Sequence, residues 1–261
     1  MKRLIVSVLF LSATQLSAQT VYDTTFGISG GVFFPELDTV LRVDDGDSDL
    51  GTEVSLEGDL RFDSSDQIAR FELFWRPAQK HRISMEYYAI NRDTSWVLDA
   101  DLEIGETAYP VGTQVSSNFD TRIIPFIYEY SVYQTADTEV GLGGGFHWID
   151  LEFGIRASGT SLEEFSSVSG PLPLVGFSVD HRFAERWMFR GTLQAFSASV
   201  NKIDGTIVSA RAGVDYQFTP TFSLGLGYDL FDLDVELRKN SWKGRVSYDY
   251  NGFNLRAALT W

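Results

Sequence analysis

Histidine is scarce in this chain and cysteine is absent, although both are common in acid–base and nucleophilic catalysis. The three histidines are His81, His147 and His181. A sequence without cysteine excludes thiol catalysis and thiolate metal ligands. His81 and His181 lie beside predicted turns, where a structural role is the better interpretation. His147 stands near Asp150 and Glu152, and a histidine needs an acid or a serine to act in catalysis, so it is the single catalytic candidate to test.

An acidic stretch offers a weak metal-binding candidate. Asp45, Asp47 and Asp49 have the D-x-D-x-D spacing of a calcium loop. An EF-hand loop also needs glycine at its sixth position and glutamate at its twelfth, where this chain has Leu50 and Leu56. The stretch is therefore predicted to be a solvated loop, and no cofactor is predicted.

Two glycine-rich stretches match functional motifs only in form. Residues 27–31 read G-I-S-G-G, which fits the G-x-S-x-G nucleophile pattern, but no helix pattern follows as that strand-to-helix elbow requires. Residues 141–145 read G-L-G-G-G, without the spacing of a phosphate-binding loop. They are predicted to lie in a strand where glycine allows a neighbouring chain segment to come close or allows the strand to bend.

Charged residues of both signs recur at every second position of many segments, opposite apolar residues. This pattern predicts a polar face on which opposite charges pair across a narrow lumen, so that a salt-bridge network fills it. A selective pore lined by the same residues is the alternative. The predicted charge network comprises Glu57, Asp59, Arg61, Arg70, Glu72, Arg82, Glu86, Glu129, Asp180, Arg182, Arg190, Arg211, Asp215, Asp249 and Arg256.

The elements that carry these charges are predicted to be β-strands. In the last stretch, Ser247 to Trp261, large apolar residues occupy every second position from Phe253 onward. A strand places such alternating residues on opposite faces, whereas a helix does not. Similar alternation marks residues 53–62, 69–76, 82–89, 96–104, 122–133, 139–156, 171–182, 187–195, 208–218 and 222–237. The alternation changes parity beyond Leu230 and at Asn251-Gly252, which predicts an inserted residue, or β-bulge, at each place.

These strands predict an all-β fold, a closed antiparallel transmembrane β-barrel of about twelve strands, with ten to fourteen allowed. Short turns near Gln134, Ala184 and Thr219 are predicted to face the periplasm with both termini, and polar stretches near Gly105 and Ala157 to form outside loops. A soluble sandwich or lipocalin-like barrel with its apolar face inward is the alternative. An aromatic girdle is predicted from Phe62, Trp75, Phe183, Trp187, Phe218, Phe222 and Trp261.

The amino terminus predicts export. Lys2 and Arg3 precede a short apolar run, and small residues end at Ala18, which is typical of a Sec signal peptide over residues 1–18. A membrane anchor is the alternative, but the run is shorter than the roughly 20 residues of a helical span. Residues 19–38 are predicted to be a lead-in or first strand, and 39–261 the barrel. The formal net charge of −15 argues against nucleic acid as a partner.

The strand rhythm, the R-P-A-Q-K-H-R turn at residues 76–82 and the closing strand resemble those of small Gram-negative outer-membrane β-barrels. Those barrels most often end in Phe, where this chain has Trp261. The resemblance implies an outer-membrane location, contact with outer-membrane lipid and lipopolysaccharide, and assembly by the barrel-assembly machinery through the carboxy-terminal strand. It favours a non-enzymatic structural or loop-mediated interaction role. A small solute-conducting pore is the alternative, and a lipid-modifying enzyme is a third, less favoured function.

Overall fold

A computed structural model describes residues 20–21, 23–44, 52–104, 107–200, 203–239 and 242–261. All its regular elements are β-strands. No helix in these ranges is long and apolar enough to cross a membrane. The strands are β1 (Phe26–Val43), β2 (Glu53–Ser55), β3 (Ile68–Ala78), β4 (His81–Val97), β5 (Leu102–Ile104), β6 (Thr107–Tyr109), β7 (Gln114–Gln134), β8 (Thr138–Ala157), β9 (Glu163–Ala184), β10 (Trp187–Val200), β11 (Ile203–Thr219), β12 (Phe222–Lys239) and β13 (Trp242–Thr260).

Ten long antiparallel strands close into a barrel. The wall runs β13-β12-β11-β10-β9-β8-β7-β4-β3-β1, and β1 pairs again with β13 along its whole length, from Gly27 opposite Thr260 onward. β2 adds to the outer part of β1, and β5 and β6 form a separate hairpin. The closed antiparallel barrel is confirmed, and ten strands lie within the predicted range.

The two ends of the barrel differ. At the end that carries Phe26 and Trp261, which we call the terminal end, the strands are joined by connections of two or three residues at 79–80, 135–137, 185–186 and 220–221. The opposite, outer end carries the two longest connections, 44–67 and 98–113. Short turns beside the termini are typical of the periplasmic side of such barrels.

A belt of outward-facing apolar side chains surrounds the terminal side of the barrel. On β13 the exposed positions are Phe253, Leu255, Ala257, Leu259 and the following Trp261. The belt therefore spans about nine residues of a strand, which matches the length that a tilted strand needs to cross a bilayer. We call the part of the barrel inside this belt the membrane half, and the remainder the outer half.

In the outer half the same strands reverse their sidedness. On β13, Asn251, Asp249 and Ser247 face outward, whereas Tyr250 and Tyr248 are buried inside. The interior of this half is one apolar core drawn from many strands and from the outer connections. Its members include Phe33, Leu37, Leu41, Val54, Leu56, Leu60, Phe62, Ile90, Leu98, Ile104, Tyr109, Phe119, Ile123, Phe153, Ile155, Phe231, Leu233, Val246 and Tyr248.

This reversal explains the parity changes, and the predicted bulges are wrong. The pairing of β13 with β1 and β12 keeps one register through Asn251 and Gly252, and the pairing of β12 with β11 and β13 keeps one register past Leu230. The apolar residues change parity because they face lipid in the membrane half and the core in the outer half. β8 keeps its register with β9 through its glycines, whereas its pairing with β7 shifts between Ser131 and Tyr133, opposite Gly141 and Val140.

Two alternating segments are not barrel strands. Residues 53–62 contain only the short β2 followed by turns, and residues 98–104 and 107–113 include the β5–β6 hairpin at the outer end. Their apolar side chains, such as Leu56, Leu60 and Leu98, alternate because one side packs on the outer core. The stretch after Ala157, predicted to be a long loop, is mostly the start of β9. The first barrel strand begins at Phe26, within the stretch predicted to be a lead-in or first strand.

Candidate functional site

Four charged side chains form a closed ring inside the membrane half. Arg211 makes a bidentate pair with Glu86, at 3.0 Å and 3.1 Å, and its Nε lies 3.2 Å from the Asp229 carboxylate. Arg70 pairs with the same two acids, at 2.9 Å to Glu86 and by a short contact to Asp229. Asn254 also donates a hydrogen bond of 2.6 Å to Asp229. Each carboxylate thus has two guanidinium partners, which offsets much of the cost of burying the charges.

The ring spans the full width of the lumen. Arg211 lies on β11 and Glu86 on β4, which are five strands apart in either direction around the ten-strand wall. Arg70 packs its guanidinium 4.4 Å from the ring centre of Phe33 and 4.6 Å from that of Tyr88. Phe33 and Tyr88 belong to the outer core. The four charged side chains therefore lie directly against that core.

A second set of ion pairs runs nearer the terminal end. Arg82 bridges two acids, at 2.7 Å to Glu129 and 3.1 Å to Asp180. Beyond Asp180 the chain of alternating charges continues through four further residues. The pairs are Asp180–Arg190 at 3.8 Å, Arg190–Asp215 at 2.6 Å, Asp215–Arg256 at 2.5 Å and Arg256–Glu72 at 3.6 Å.

Two buried clusters flank this network. Towards the terminal end, Arg76 makes a bidentate pair with Glu139 at 2.7 Å and 2.8 Å, and Ser131 also donates to that carboxylate. In the outer half, Arg92 donates to Glu57 at 2.5 Å and to Thr39 at 2.7 Å. The outer cluster connects the wall to the segment that follows β2.

Glycines leave the space that some of these charges occupy. A Cβ at Gly143 would lie 2.8 Å from Cγ of Glu129 and 2.4 Å from the Tyr128 carbonyl oxygen. A Cβ at Gly225 would lie 2.0 Å from the Asp215 carboxylate. The glycine-rich part of β8 therefore allows neighbouring backbone and side-chain atoms to lie close to it.

Small polar cavities lie among the ion pairs. The first, of about 90 Å³, is lined by Arg70, Arg82, Arg190 and Arg211 together with Glu72, Asp180 and Asp215. A second, of about 70 Å³, shares Glu72, Arg82 and Arg211 with the first and extends to His147. A third, of about 40 Å³, lies at the terminal end and shares Arg190 and Asp215 with the first. The cavities form a file from the terminal mouth to the base of the outer core.

His147 faces the lumen and is only 3% exposed. Its ring stacks on Phe231, with 6.3 Å between the ring centres, and neither ring nitrogen has a hydrogen-bond partner among the described residues. Asp150 and Glu152, its neighbours in sequence, point to the outside of the wall. Four acids line its cavity, and each of them is paired with arginine: Glu72, Glu86, Glu129 and Asp229. Within the described part of the chain, no acid or serine is hydrogen-bonded to the histidine ring.

The remaining sequence candidates have structural surroundings. His81 bonds the Tyr128 hydroxyl at 2.7 Å and His181 bonds the Thr138 hydroxyl at 2.9 Å, both near the terminal end. Ser29 of the G-x-S-x-G match lies within β1 and donates to Glu72 at 3.5 Å. Asp45, Asp47 and Asp49 lie outside the described residues, as does the predicted signal peptide.

Most of the predicted charge network converges in the lumen, but four members do not. Asp59 and Arg61 are exposed at the outer end, where Arg61 pairs with Asp99, because residues 56–61 are turns rather than strand. Asp249 faces outward in the outer half. Arg182 lies at the terminal mouth, 3.9 Å from Asp137.

The residues of the predicted aromatic girdle lie in two different parts of the barrel. Trp75, Phe183, Trp187, Phe218, Phe222 and Trp261 lie outward or near the surface at the terminal end, and Trp261 contacts Phe26 with 5.1 Å between ring centres. Phe62 is wrong as a girdle residue, since it is 4% exposed in the outer core. A second aromatic row lies at the outer edge of the belt and includes Phe34, Phe253 and Tyr228, which are paired on neighbouring strands.

Sequence reasoning missed Asp229, Glu139, Arg76 and Arg92 as network members. Asp229 and Arg76 already stand on the polar face of their segments, so alternation alone was a usable signal for them. Arg92 and Glu139 lie near segment ends, where the apolar pattern is weak, and their pairing joins residues 35 and 63 positions apart.

Neither a protein-family model nor a curated protein sequence matches this chain. Among solved structures, the fold is similar to that of the outer-membrane protease OmpT from Escherichia coli, with 11% identity, a TM-score of 0.58, and coverage of 94% of this chain and 99% of that one. The translocator domain of the autotransporter NalP from Neisseria meningitidis has 10% identity and a TM-score of 0.46, over 91% of this chain and 89% of that one. The transport unit of the autotransporter AIDA-I from Escherichia coli has 9% identity and a TM-score of 0.44, over 97% and 93%. At these identities the similarity concerns the fold.

Proposed function

We propose that this chain, an outer-membrane β-barrel protein, is a closed and non-enzymatic barrel that presents its outer half at the cell surface for a structural or interaction role. The carrying observation is that two different fillings follow one another along the lumen. Ion pairs join opposite walls in the membrane half, and an apolar core fills the outer half. A solute would have to displace both.

The outer half supplies the surface for such a role. Its outward side chains on β1, β12 and β13 include Glu36, Asp38, Asp232, Asp234 and Asp249. This acidic wall stands beyond the lipid belt, and the β5–β6 hairpin extends from the same end. A partner at the surface would therefore meet a rigid wall with an excess of negative charge.

The partners proposed for the membrane half follow from its chemistry. The apolar belt and its two aromatic rows fit outer-membrane lipid and lipopolysaccharide. The closing strand β13, with Trp261 at its end, is the proposed contact for the barrel-assembly machinery in a Gram-negative outer membrane, after Sec export and cleavage near Ala18.

Planar-bilayer recording tests the closed barrel. The purified protein is expected to give no steady current over a range of voltages and salts. A steady, ion-selective conductance would overturn the proposal and favour the alternative of a small solute pore. The file of polar cavities, lined by arginine and carboxylate, is the observation that favours that alternative.

Lipid analysis tests the non-enzymatic part of the proposal. Overexpression is expected to leave the lipid A and phospholipid profiles unchanged. A modified lipid that disappears in a His147→Ala variant would instead assign a lipid-modifying activity to the lumen.

A further inference from the structure

The short segment before β1 crosses the terminal mouth of the barrel. At one end, the Thr25 amide donates to the Trp261 carbonyl oxygen at 2.8 Å, and the Arg76 amide donates to the Thr25 carbonyl oxygen at 2.7 Å. At the other end, the Val21 amide donates to the Ala136 carbonyl oxygen at 3.2 Å. Ala136 lies in the β7–β8 connection, between the third and fourth strands counted from β1 around the ten-strand wall. The segment therefore spans the opening rather than following its rim.

This segment, residues 20–21 and 23–25, which we call the mouth strap, has a defined local structure. The Thr20 amide donates to the Asp23 carboxylate at 2.8 Å, and the Asp23 amide donates back to the Thr20 carbonyl oxygen at 3.3 Å. The bonds from Thr20 hold the pKa of Asp23 below its usual value of 3.8. Such reciprocal bonds are typical of turns that aspartate stabilises. The strap is thus folded at its far end and not simply extended.

The strap also covers the charged network. Val21 is only 8% exposed, although it lies outside the barrel wall. Thr20, Val21 and Thr24 line the mouth cavity together with Arg190 and Asp215, which pair at 2.6 Å as part of the network. Arg190 and Asp215 line the larger cavity beyond as well. The strap therefore stands between the periplasmic side and the polar cavities of the lumen.

We propose that the mouth strap is a lid that controls access of water and small polar solutes from the periplasmic side to the arginine- and carboxylate-lined cavities. Its two attachments differ in strength. The Thr25 end is held by backbone bonds to two neighbouring strands. Among the described residues, the Val21 end is held by one backbone bond and one buried apolar side chain, with the charge of Arg182 near Asp23. The lid opens at the Val21 end and hinges at the Thr25 end.

The absence of cysteine from the chain allows a direct test. A Thr192→Cys variant places a thiol on the wall of both inner cavities, at a residue outside the ion pairs. In nanodiscs, its modification by a small charged methanethiosulfonate reagent is expected to be slow with the intact strap. Replacing Val21 by Asp is expected to raise the rate about tenfold, because the burial of one valine no longer holds the strap closed. A Val21→Ile variant keeps the apolar contact and is expected to stay slow.

A second thiol separates failure of the lid from failure of the closed barrel. Ser117→Cys is a nearly isosteric change inside the outer half, at a residue 4% exposed. If Thr192→Cys reacts at the same rate whatever residue stands at 21 while Ser117→Cys stays inert, the strap is not a lid. If Ser117→Cys itself reacts quickly, the outer half is open and the closed-barrel proposal fails.

Cross-linking tests the strap position independently of access to the cavities. A Val21→Cys/Ala136→Cys pair is expected to form a disulfide readily, whereas Val21→Cys/Lys80→Cys, with its second thiol on the β3–β4 connection of the same mouth, is expected to cross-link slowly. The heat-dependent mobility of the barrel on gels confirms that each variant is folded. If the two pairs cross-link at equal rates, the strap has no defined position across the mouth, and the proposal is overturned.

Discussion

In the membrane half the barrel wall has apolar side chains outside and charges inside, whereas in the outer half it has charges outside and an apolar core inside. One set of continuous strands carries both arrangements, and the change occurs over two residues on β13, between Phe253 and Asn251. Lipid explains the difference. Where lipid surrounds the wall, apolar burial against the outside leaves the inside free to be polar, and where water surrounds the wall the core must be internal.

The two halves should therefore depend on different interactions. The membrane half relies on ion pairs that link distant strands across its lumen. The outer half relies on close packing, as a soluble protein does. Each half can be tested by a substitution that leaves the other half intact.

The largest effect is expected from opening the charged ring. Arg211→Ala leaves Glu86 and Asp229 each with one guanidinium partner and should lower the free energy of unfolding by about 3–5 kcal/mol. The matched control is Arg245→Ala, which removes an exposed pair with Asp234 in the outer half and should cost less than about 1 kcal/mol. Urea titration in lipid vesicles, followed by tryptophan fluorescence, measures both. Equal losses would mean that the lumen charges are solvated and not structural.

A cavity in the outer core should produce the next largest loss. Leu233 is 1% exposed inside the outer half, so Leu233→Ala should cost about 2–5 kcal/mol. Leu230, three residues away on the same strand, is 51% exposed towards lipid and serves as the control. The same titration should show a much smaller loss for Leu230→Ala. A reversed order would contradict an internal core at this height.

A charge placed on the outer wall should report the edge of the belt. Leu255→Arg puts a guanidinium at the middle of the lipid belt and should cost about 2–4 kcal/mol. Ser247→Arg introduces a guanidinium on the same face of the same strand, but in the outer half. It should leave the free energy of unfolding nearly unchanged. Folding yield in vesicles of several acyl-chain lengths would refine the position of the edge, and a large penalty at both sites would extend the bilayer over the outer half.

The smallest effect concerns the acidic wall. Asp249 lies directly opposite Asp38 and Asp232 on the neighbouring strands. Burial, followed by the charges of Asp232 and Asp38, raises the pKa of Asp249 above its usual value of 3.8. Because the folded state holds this proton more tightly than the unfolded state, the ionised group lowers stability at neutral pH, and this cost disappears as the pH falls through the raised pKa.

Asp249→Asn should therefore stabilise the protein at pH 7 by less than about 1 kcal/mol. The advantage should fade as the pH approaches 3.8. Paired urea titrations of the two proteins at several pH values measure the difference. A gain that is independent of pH would assign it to something other than the carboxylate charge.

The sequence predicted the barrel because alternation over strand length needs no knowledge of the surroundings. It also placed Arg70, Glu86 and Arg211 on one polar face. Their partners were beyond its reach, since Arg211 and Glu86 are 125 residues apart and meet only when the barrel closes.

The surplus of predicted strands and the false bulges have one physical cause. Alternation shows that one face is apolar, but not whether lipid or a core covers that face. Leu56 and Leu60 therefore looked like part of a spanning strand, and the step from Leu230 to Leu233 looked like an insertion. To interpret the alternation correctly, one would have to know where along the barrel axis the surroundings of the wall change from lipid to water.

A cysteine scan along β13 with an environment-sensitive fluorophore tests the reversal of sidedness most directly, because the chain has no other cysteine. Probes at residues 253, 255, 257 and 259 should report lipid, and probes at 245, 247, 249 and 251 should report water. Probes at 246, 248 and 250 should be poorly labelled inside the outer core. Lipid signals from 246, 248 and 250 would instead show a bulged strand that continues through the bilayer, and would contradict the two-part barrel.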